Sequence, residues 1–334
     1  MAKRMLLVIL LLGVLLVGTT ADAQETENIV VVNVWARPTA VRMEGMTMPE
    51  ATAEPMGNMG EATAEPMNMG GEHSMSDAVS AAYMQITNQT DQTIRLVSAS
   101  SLVSARTEVH EVSMVNNVMQ MHPVEGGIEI LAGDTVALQP GGYHVMLMEL
   151  QQDLYTGDAL AVTLTFELAD GTTQEITVGA AIQDEPPAES PIEIANAWAR
   201  PTAVKMDGME GGMGNMGEAT AEPMAMGSSA VSAAYMLIEN SGDTADRLVA
   251  ARTVVAGLVE IHEVNIVDNV MRMHPVEGGI DIPVGGTVAL QPGGYHVMLM
   301  NLQQDLYTGE AFGLTLVFES GLEITVGVPI TEPQ

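Results

Sequence analysis

The feature that most constrains this chain is that it is written twice. Trp35-Ala36-Arg37-Pro38-Thr39-Ala40-Val41 recurs at Trp198 to Val204, 163 residues on, and Val79-Ser80-Ala81-Ala82-Tyr83-Met84 recurs at Val231 to Met236, 152 on. The runs Met121 to Ile128 and Thr135 to Met148 return at Met273 to Ile280 and Thr287 to Met300, again 152 on. A repeat of that length is a whole domain, so the chain should fold as two copies of one architecture in tandem. The 11-residue difference between the offsets has a visible source. The heptapeptide Glu50 to Met56 is repeated at Glu61 to Met67 in copy one and occurs once in copy two, at Glu218 to Met224. Between the copies, Gln183 to Pro191 is acidic, Pro-rich and too polar to pack, a short stiff linker. The expected domains are therefore 28–182 and 192–332, with 183–191 joining them.

Within each copy the apolar period is two. Ile29–Trp35, Ala81–Thr87, Thr107–Val112, Val118–Met121, Tyr143–Glu149, Leu160–Glu167 and Gln174–Val178 are short β-rich runs. Turn formers separate them, among them Asn116-Asn117, Glu125-Gly126-Gly127 and Pro140-Gly141-Gly142. No amphipathic helix of useful length is present, so the expected class is all-β, two antiparallel sandwiches or barrels in tandem. Segments 42–78 and 205–229 break the pattern. They are Gly, Glu, Ala, Thr and Pro with scattered Met, and are expected to be flexible loop inserts.

The N-terminus reads as a secretory leader over 1–23. Lys3 and Arg4 precede the apolar run Met5 to Val17, and Ala21-Asp22-Ala23 supplies a small-x-small cleavage pattern. The expected location is extracytoplasmic, periplasmic or secreted, after cleavage near Ala23. The apolar run is short for a span, no other stretch is long enough, and no membrane span is expected in the mature chain. A formal net charge of −32 repels phosphate, and 3% aromatic residues offer few stacking platforms, so nucleic acid is a poor partner.

The chain has 27 Met and no Cys. Lack of Cys removes thiolate nucleophiles, disulfides, zinc-thiolate sites and blue-copper centres. Fourteen of the Met lie in the two inserts. In the strand-rich part, His144 and Met146 alternate onto one face of a strand. If the strands of His110, Met121 and His144 are neighbours, His110, Met121, His144 and Met146 converge. Copy two offers His262, Met273, His296 and Met298 at the same spacings. Two imidazoles with two thioethers form a soft donor set suited to Cu(I), and thioethers have no proton to lose. Met in a strand is equally a common core filler, so spacing alone leaves the constellation open. Met84, Met114, Met119, Met148, Met236, Met271 and Met300 are expected to be such filler. His122 and His274, each before Pro, are expected to be turned away from Met121 and Met273, either exposed or at the rim of the site.

The run His-x10-Met-x22-His-x-Met, from His110 to Met146 and from His262 to Met298, resembles the signature of the periplasmic PCuAC copper chaperones. That family's second gap is one residue shorter, and the extra residue here falls within the Gly-rich stretch 122–143. Flanking runs are similar too: Trp35-Ala-Arg-Pro, Ala81-Ala-Tyr, Met121-His-Pro-Val-Glu-Gly-Gly-Ile and Leu138-Gln-Pro-Gly-Gly-Tyr-His-Val-Met. The resemblance covers nearly all of both copies except the inserts. It implies cupredoxin-like Greek-key β-sandwiches, each holding one Cu(I) through the two His and two Met named above. It also implies delivery of copper to the dinuclear site of cytochrome c oxidase, through an oxidase subunit or its assembly factors.

The inserts depart from that compact pattern. Met43, Met46 and Met48, His73 and Met75, and Met206, Met209, Met213 and Met216 resemble the Met-rich segments of extracytoplasmic copper proteins, and are expected to capture additional, weakly bound copper. Gly212-Met-Gly214-Asn-Met-Gly217 matches a dinucleotide fingerprint formally but lacks the strand and helix that give it meaning. An enzyme is not expected: nucleophile elbow, zincin and P-loop motifs are all missing, and four protein ligands leave no open metal position. The competing expectation is copper storage or buffering for copper tolerance, using the Met-rich loops.

Overall fold

The computed structural model describes residues 28–39, 78–115, 118–202, 231–267 and 270–332. The leader, and the methionines and His73 of both inserts, lie outside the described residues, as do Asn116 and Asn117. Among the described residues the regular elements are strands. The first copy contains β1 (Ile29–Ala36), β2 (Ser80–Asn88), β3 (Ile94–Ser100), β4 (Ser104–Val115), β5 (Val118–Pro123), β6 (Ile128–Ile130), β7 (Thr135–Leu138), β8 (Tyr143–Leu150), β9 (Ala159–Glu167) and β10 (Thr173–Ile182). The second contains β11 (Ile192–Ala199), β12 (Ser232–Asn240), β13 (Asp246–Arg252), β14 (Ala256–Val267) and β15 (Val270–Pro275). It continues through β16 (Ile280–Ile282), β17 (Thr287–Leu290), β18 (Tyr295–Leu302), β19 (Ala311–Phe318) and β20 (Glu323–Pro329).

Each copy is a two-layer sandwich. In the first, β1-β2-β7-β8-β4-β5 form one layer and β6-β3-β9-β10 the other, joined at one edge by a short parallel pairing of β1 with β10. The second repeats this as β11-β12-β17-β18-β14-β15 and β16-β13-β19-β20. Successive strands pass between layers, so most pairings are non-local. Strands β3, β6 and β7 were not expected from the pattern. β3 mixes Ser and Arg with its apolar residues, and β6 has three residues, too few to display a period.

Alternation explains the core. Val109, Val145, Leu147, Met84, Ile86, Leu164 and Phe166 pack between the layers of the first copy, and Ile261, Val297, Leu299, Met236, Leu316 and Phe318 between those of the second. Met84 and Met236 are filler there, each 2% exposed. The residues between these, including His110 and His144, project from the other face of the β8-β4-β5 layer.

A β-bulge adjusts that outer face. β1 pairs with β2 in regular register up to Val32↔Gln85, then shifts so that Trp35 lies opposite Tyr83. Asn33 sits inside the irregularity at φ 55°, a left-handed conformation that Asn tolerates better than most residues. Beyond the bulge Trp35 stacks on Tyr83, while Ala36 stays in the core. The second copy repeats the device with Asn196, Trp198 and Tyr235.

The copies join strand to strand. β10 pairs antiparallel with β20 at Gly179↔Gly327, making one sheet continuous across both. Gly327 ends the run Glu-Ile-Thr-Val-Gly in copy two, as Gly179 does in copy one. A Cβ on either glycine would overlap the other's backbone, so only Gly fits at this crossing.

Candidate metal centre

Register places each candidate residue. His110 on β4 lies directly opposite His144 on β8, and Glu108 opposite Met146. On its other edge β4 pairs with β5, bringing Val112 opposite Met121 and Met114 opposite Met119. Residues directly opposite share a face, and so do residues two apart along a strand. His110, Met121, His144 and Met146 therefore occupy one face of three adjacent strands. His110 and His144 are neighbours, with ring centroids 5.8 Å apart and planes at 65°. Met121 lies one strand further out, diagonal to His110 at about 7–8 Å by ordinary sheet geometry. It is 52% exposed, against 8% for His110 and 3% for His144. The second copy reproduces the arrangement: His262 opposite His296, Glu260 opposite Met298, and Val264 opposite Met273.

Two hydrogen bonds fix which nitrogen each imidazole presents. His144 Nδ1 lies 3.1 Å from the Gly142 carbonyl oxygen, so Nδ1–H donates and Nε2 keeps a lone pair. His110 Nε2 lies 2.8 Å from Glu108 Oε2, so Nε2–H donates and Nδ1 keeps the lone pair. Both remaining atoms, His144 Nε2 and His110 Nδ1, are buried and have no partner among the described residues. The second copy matches atom for atom. His296 donates to Gly294 and His262 to Glu260, leaving His296 Nε2 and His262 Nδ1 buried and unpartnered. A buried polar atom without a partner costs about 1–3 kcal/mol, so four such atoms in equivalent places need a reason. Imidazoles oriented by a carboxylate or a carbonyl on one nitrogen, with the other bare, have the arrangement of metal-ligating histidines.

Aromatic residues wall the pair on the β1–β2 side. Tyr83 stands 6.3 Å from His144 and 4.6 Å from Trp35, centroid to centroid, with the Arg37 guanidinium 5.9 Å over the Tyr83 ring. Trp198, Tyr235, Arg200 and His296 repeat this. Burial pushes the Tyr83 and Tyr235 hydroxyls up from their ordinary range. Burial also lowers His144 and His296 below the usual imidazole value, and the neighbouring His110 or His262 lowers them further. Hydrogen bonds from His110 and Arg106 pull the Glu108 carboxyl below the usual range. The hydrogen bonds of Glu108 to Arg106 have no counterpart in copy two, where Leu258 stands at the Arg106 position.

The lowered histidines have a consequence for the metal-free protein. Unfolded chains take up these protons first as pH drops, so folding stability should be full above the ordinary value of 6.5 and decline as pH falls through it. The loss should level off below the lowered folded-state value. Denaturant midpoints between about pH 8 and pH 5 should show this slope, reduced in His144→Gln; an unchanged slope in that variant would refute the assignment.

Glu108 and Glu260, Trp35 and Tyr83 were not singled out as parts of the site from sequence. Glu108-x-His110 and Glu260-x-His262 carry the signal in their two-residue spacing, which is meaningful once both residues are known to be on a strand. Met114, Met119 and Met271 depart from the expected filler role: they are 70%, 65% and 68% exposed. The β4–β5 and β14–β15 hairpins end the layer, and the described residues leave these side chains open on its outer face. Met148 and Met300 are half-buried on the outer face. His122 and His274 do point to the other side of their hairpins, pairing with Ser113 and Asn265, though His122 is partly buried.

Comparison with known proteins accords with the repeat. The family model described as "Putative lipoprotein LpqE-like" matches residues 29–178 and again 192–330. Lxx21020 of Leifsonia xyli subsp. xyli is 35% identical over 100 residues, 30% of this chain and 59% of that protein. The chain thus spans about three-fifths of that relative's length. RP573 of Rickettsia prowazekii is 26% identical over 144 residues, 43% of this chain and 68% of that one. Among solved structures, the copper-bound PCuAC domain from PmoF2 is 25% identical, covering 44% of this chain and 97% of that one at a TM-score of 0.30. Cu(I)-DR1885 from Deinococcus radiodurans is 31% identical over 32% of this chain and 68% of that one, at a TM-score of 0.24. With two tandem matches that together take in most of its length, the chain belongs to the LpqE-like family.

Proposed function

We propose that this protein is an extracytoplasmic copper chaperone that carries one Cu(I) per domain. Its ligands are His110, Met121, His144 and Met146 in the first domain and His262, Met273, His296 and Met298 in the second. The observation that carries the reading is the pair of buried, unpartnered imidazole nitrogens on facing strands, present in both domains. A soft, neutral donor set of this kind favours Cu(I) over Zn(II) or hard cations. His144 and Met146 are held in place by their strand, whereas the exposed Met121 is the arm that closes over the ion. One exposed ligand also gives an acceptor a place to begin exchange, as carrying and handing over require. Delivery to the dinuclear copper site of cytochrome c oxidase is the expected destination, and the leader accords with that compartment.

The test is a competition titration of the metal-free protein with Cu(I) against a chromophoric chelator under reducing conditions. Two tight equivalents are expected, transferable to an oxidase copper-domain acceptor; uptake of none would overturn the proposal. Deleting 42–77 and 205–229 should leave both equivalents and the transfer in place. A storage protein would lose most of its capacity instead.

The carboxylates behind the histidines should matter measurably. Glu108→Ala and Glu260→Ala free the His110 and His262 rings to rotate and lower their basicity. Each should weaken its own domain's Cu(I) affinity by about 10–100-fold and leave the other domain's unchanged.

A further inference from the structure

We propose that the β4–β5 hairpin of the first domain carries an entry site for Cu(I), built from Met114, Met119 and Met121, from which the ion passes to His110, His144 and Met146. The inference rests on the copper reading above. It starts from register: Met114 faces Met119 directly across the hairpin, and Met121 follows Met119 two residues along the same strand face. Directly opposed residues have Cβ atoms about 4.5–5.5 Å apart, and the diagonal from Met114 to Met121 is about 7–8 Å, both within reach of unbranched thioether side chains. Their exposures, 70%, 65% and 52%, leave three thioether side chains largely in solvent, with Met121 the one diagonal to the buried His110. Apolar side chains this exposed contribute little to the core, so packing does not account for them. Three thioethers satisfy the low coordination number that Cu(I) accepts.

Met121 belongs to both sets and acts as the pivot. An ion held by Met114, Met119 and Met121 reaches the histidines by exchanging two outer sulfurs for the bare nitrogens of His110 and His144, then gaining Met146. Copper stays Cu(I) throughout and no electron moves; the thioethers have no proton to lose, and the bare imidazole nitrogens face the ion without a hydrogen-bond partner to displace. The second domain lacks the full set. Met271 and Met273 occupy the matching positions, but Ile266 stands opposite Met271 where Met114 stands opposite Met119. The first domain should therefore exchange copper faster than the second.

The experiment uses the full chain with the second domain silenced by His262→Ala and His296→Ala, so that one tight equivalent remains. Loading from a chromophoric Cu(I) chelate and release back to it are followed by stopped flow, with and without Met114→Leu and Met119→Leu. Leucine keeps the apolar volume and removes the sulfur. Both rates should fall on the order of tenfold, as loss of a local capture step implies, with the equilibrium affinity unchanged. Conversely, with the first domain silenced by His110→Ala and His144→Ala, Ile266→Met should speed loading of the second domain. Unchanged rates in the Leu variants would overturn the entry site. So would an equal loss of affinity, which would make both residues resting ligands. Slower exchange with a protein acceptor alone, at unchanged small-chelate rates, would also overturn it, because the hairpin would then be a docking face. If the silenced parent takes up no Cu(I), the copper reading itself fails, a result separate from all of these.

Discussion

His144→Ala should remove one of the two tight Cu(I) equivalents and His296→Ala the other, leaving one in each single variant and none in the double. Each histidine presents a bare Nε2 in a place where only 3% of the residue meets solvent. Losing a nitrogen ligand should weaken the ion by more than the 10–100-fold that loss of an outer partner typically costs. The effect on the metal-free fold should be much smaller. Truncation opens a cavity, yet it also removes a polar atom that is buried without a partner, and the two contributions oppose each other. Bound copper should stabilise the parent by about 4 kcal/mol at a thousandfold excess over its dissociation constant, domain by domain, and half of that response should vanish in each single variant. A titration in which both variants still bind two tight equivalents would sink the ligand assignment.

The second large effect is expected far from any ligand. Gly179→Val should open the joint between the domains, because a Cβ there overlaps the Gly327 carbonyl group and lies 2.8 Å from the Val328 nitrogen. The obstruction is backbone against backbone, so no side chain can swing aside to relieve it. The cost should be about 3 kcal/mol or more, taken from the coupling between domains rather than from either core. Thermal unfolding should split into two transitions, and amides of β10 and β20 near the crossing should lose protection from hydrogen exchange. Copper capacity should remain at two. Gly171→Ala is the control: nothing lies within 4 Å of its Cβ, and only its φ of +84° is strained, at about 1–2 kcal/mol. A Gly179→Val protein that melts as one unit with native protection would show that the strand crossing does not hold the domains together.

Much of the fold was legible in the sequence because its signals are local. Alternation in Tyr143 to Met148 announced both a strand and the face that His144 and Met146 share. The exact repetition of long runs announced two domains. What was not legible depends on which strands become neighbours. No local pattern says that β8 lies on the other side of β4 from β5, and until that is known His144 and Met146 have no geometry relative to His110. Glu108 differs: its place two residues before His110 on one strand is a local signal, and only the hydrogen bond to the imidazole picks it out among 43 acids. The methionines divide along the same line. Met84 and Met119 look alike in sequence, and only the position of their strands, central for β2 and at the edge for β5, separates core filler from exposed thioether.

The crossing of Gly179 with Gly327 sets a residue against its own counterpart, which is how two identical subunits meet about a twofold axis. Here the two halves are one polypeptide, so the pair cannot dissociate on dilution; the linker replaces a bimolecular equilibrium with a fixed local concentration. Covalent linkage of the halves has a second effect. A homodimer must carry every substitution on both sides at once, whereas this chain can alter one half alone. It has done so at Met114 against Ile266 and at Arg106 against Leu258, so the halves share a scaffold but differ in one residue of the outer hairpin and in the hydrogen bonds that reach the carboxylate beside the first imidazole.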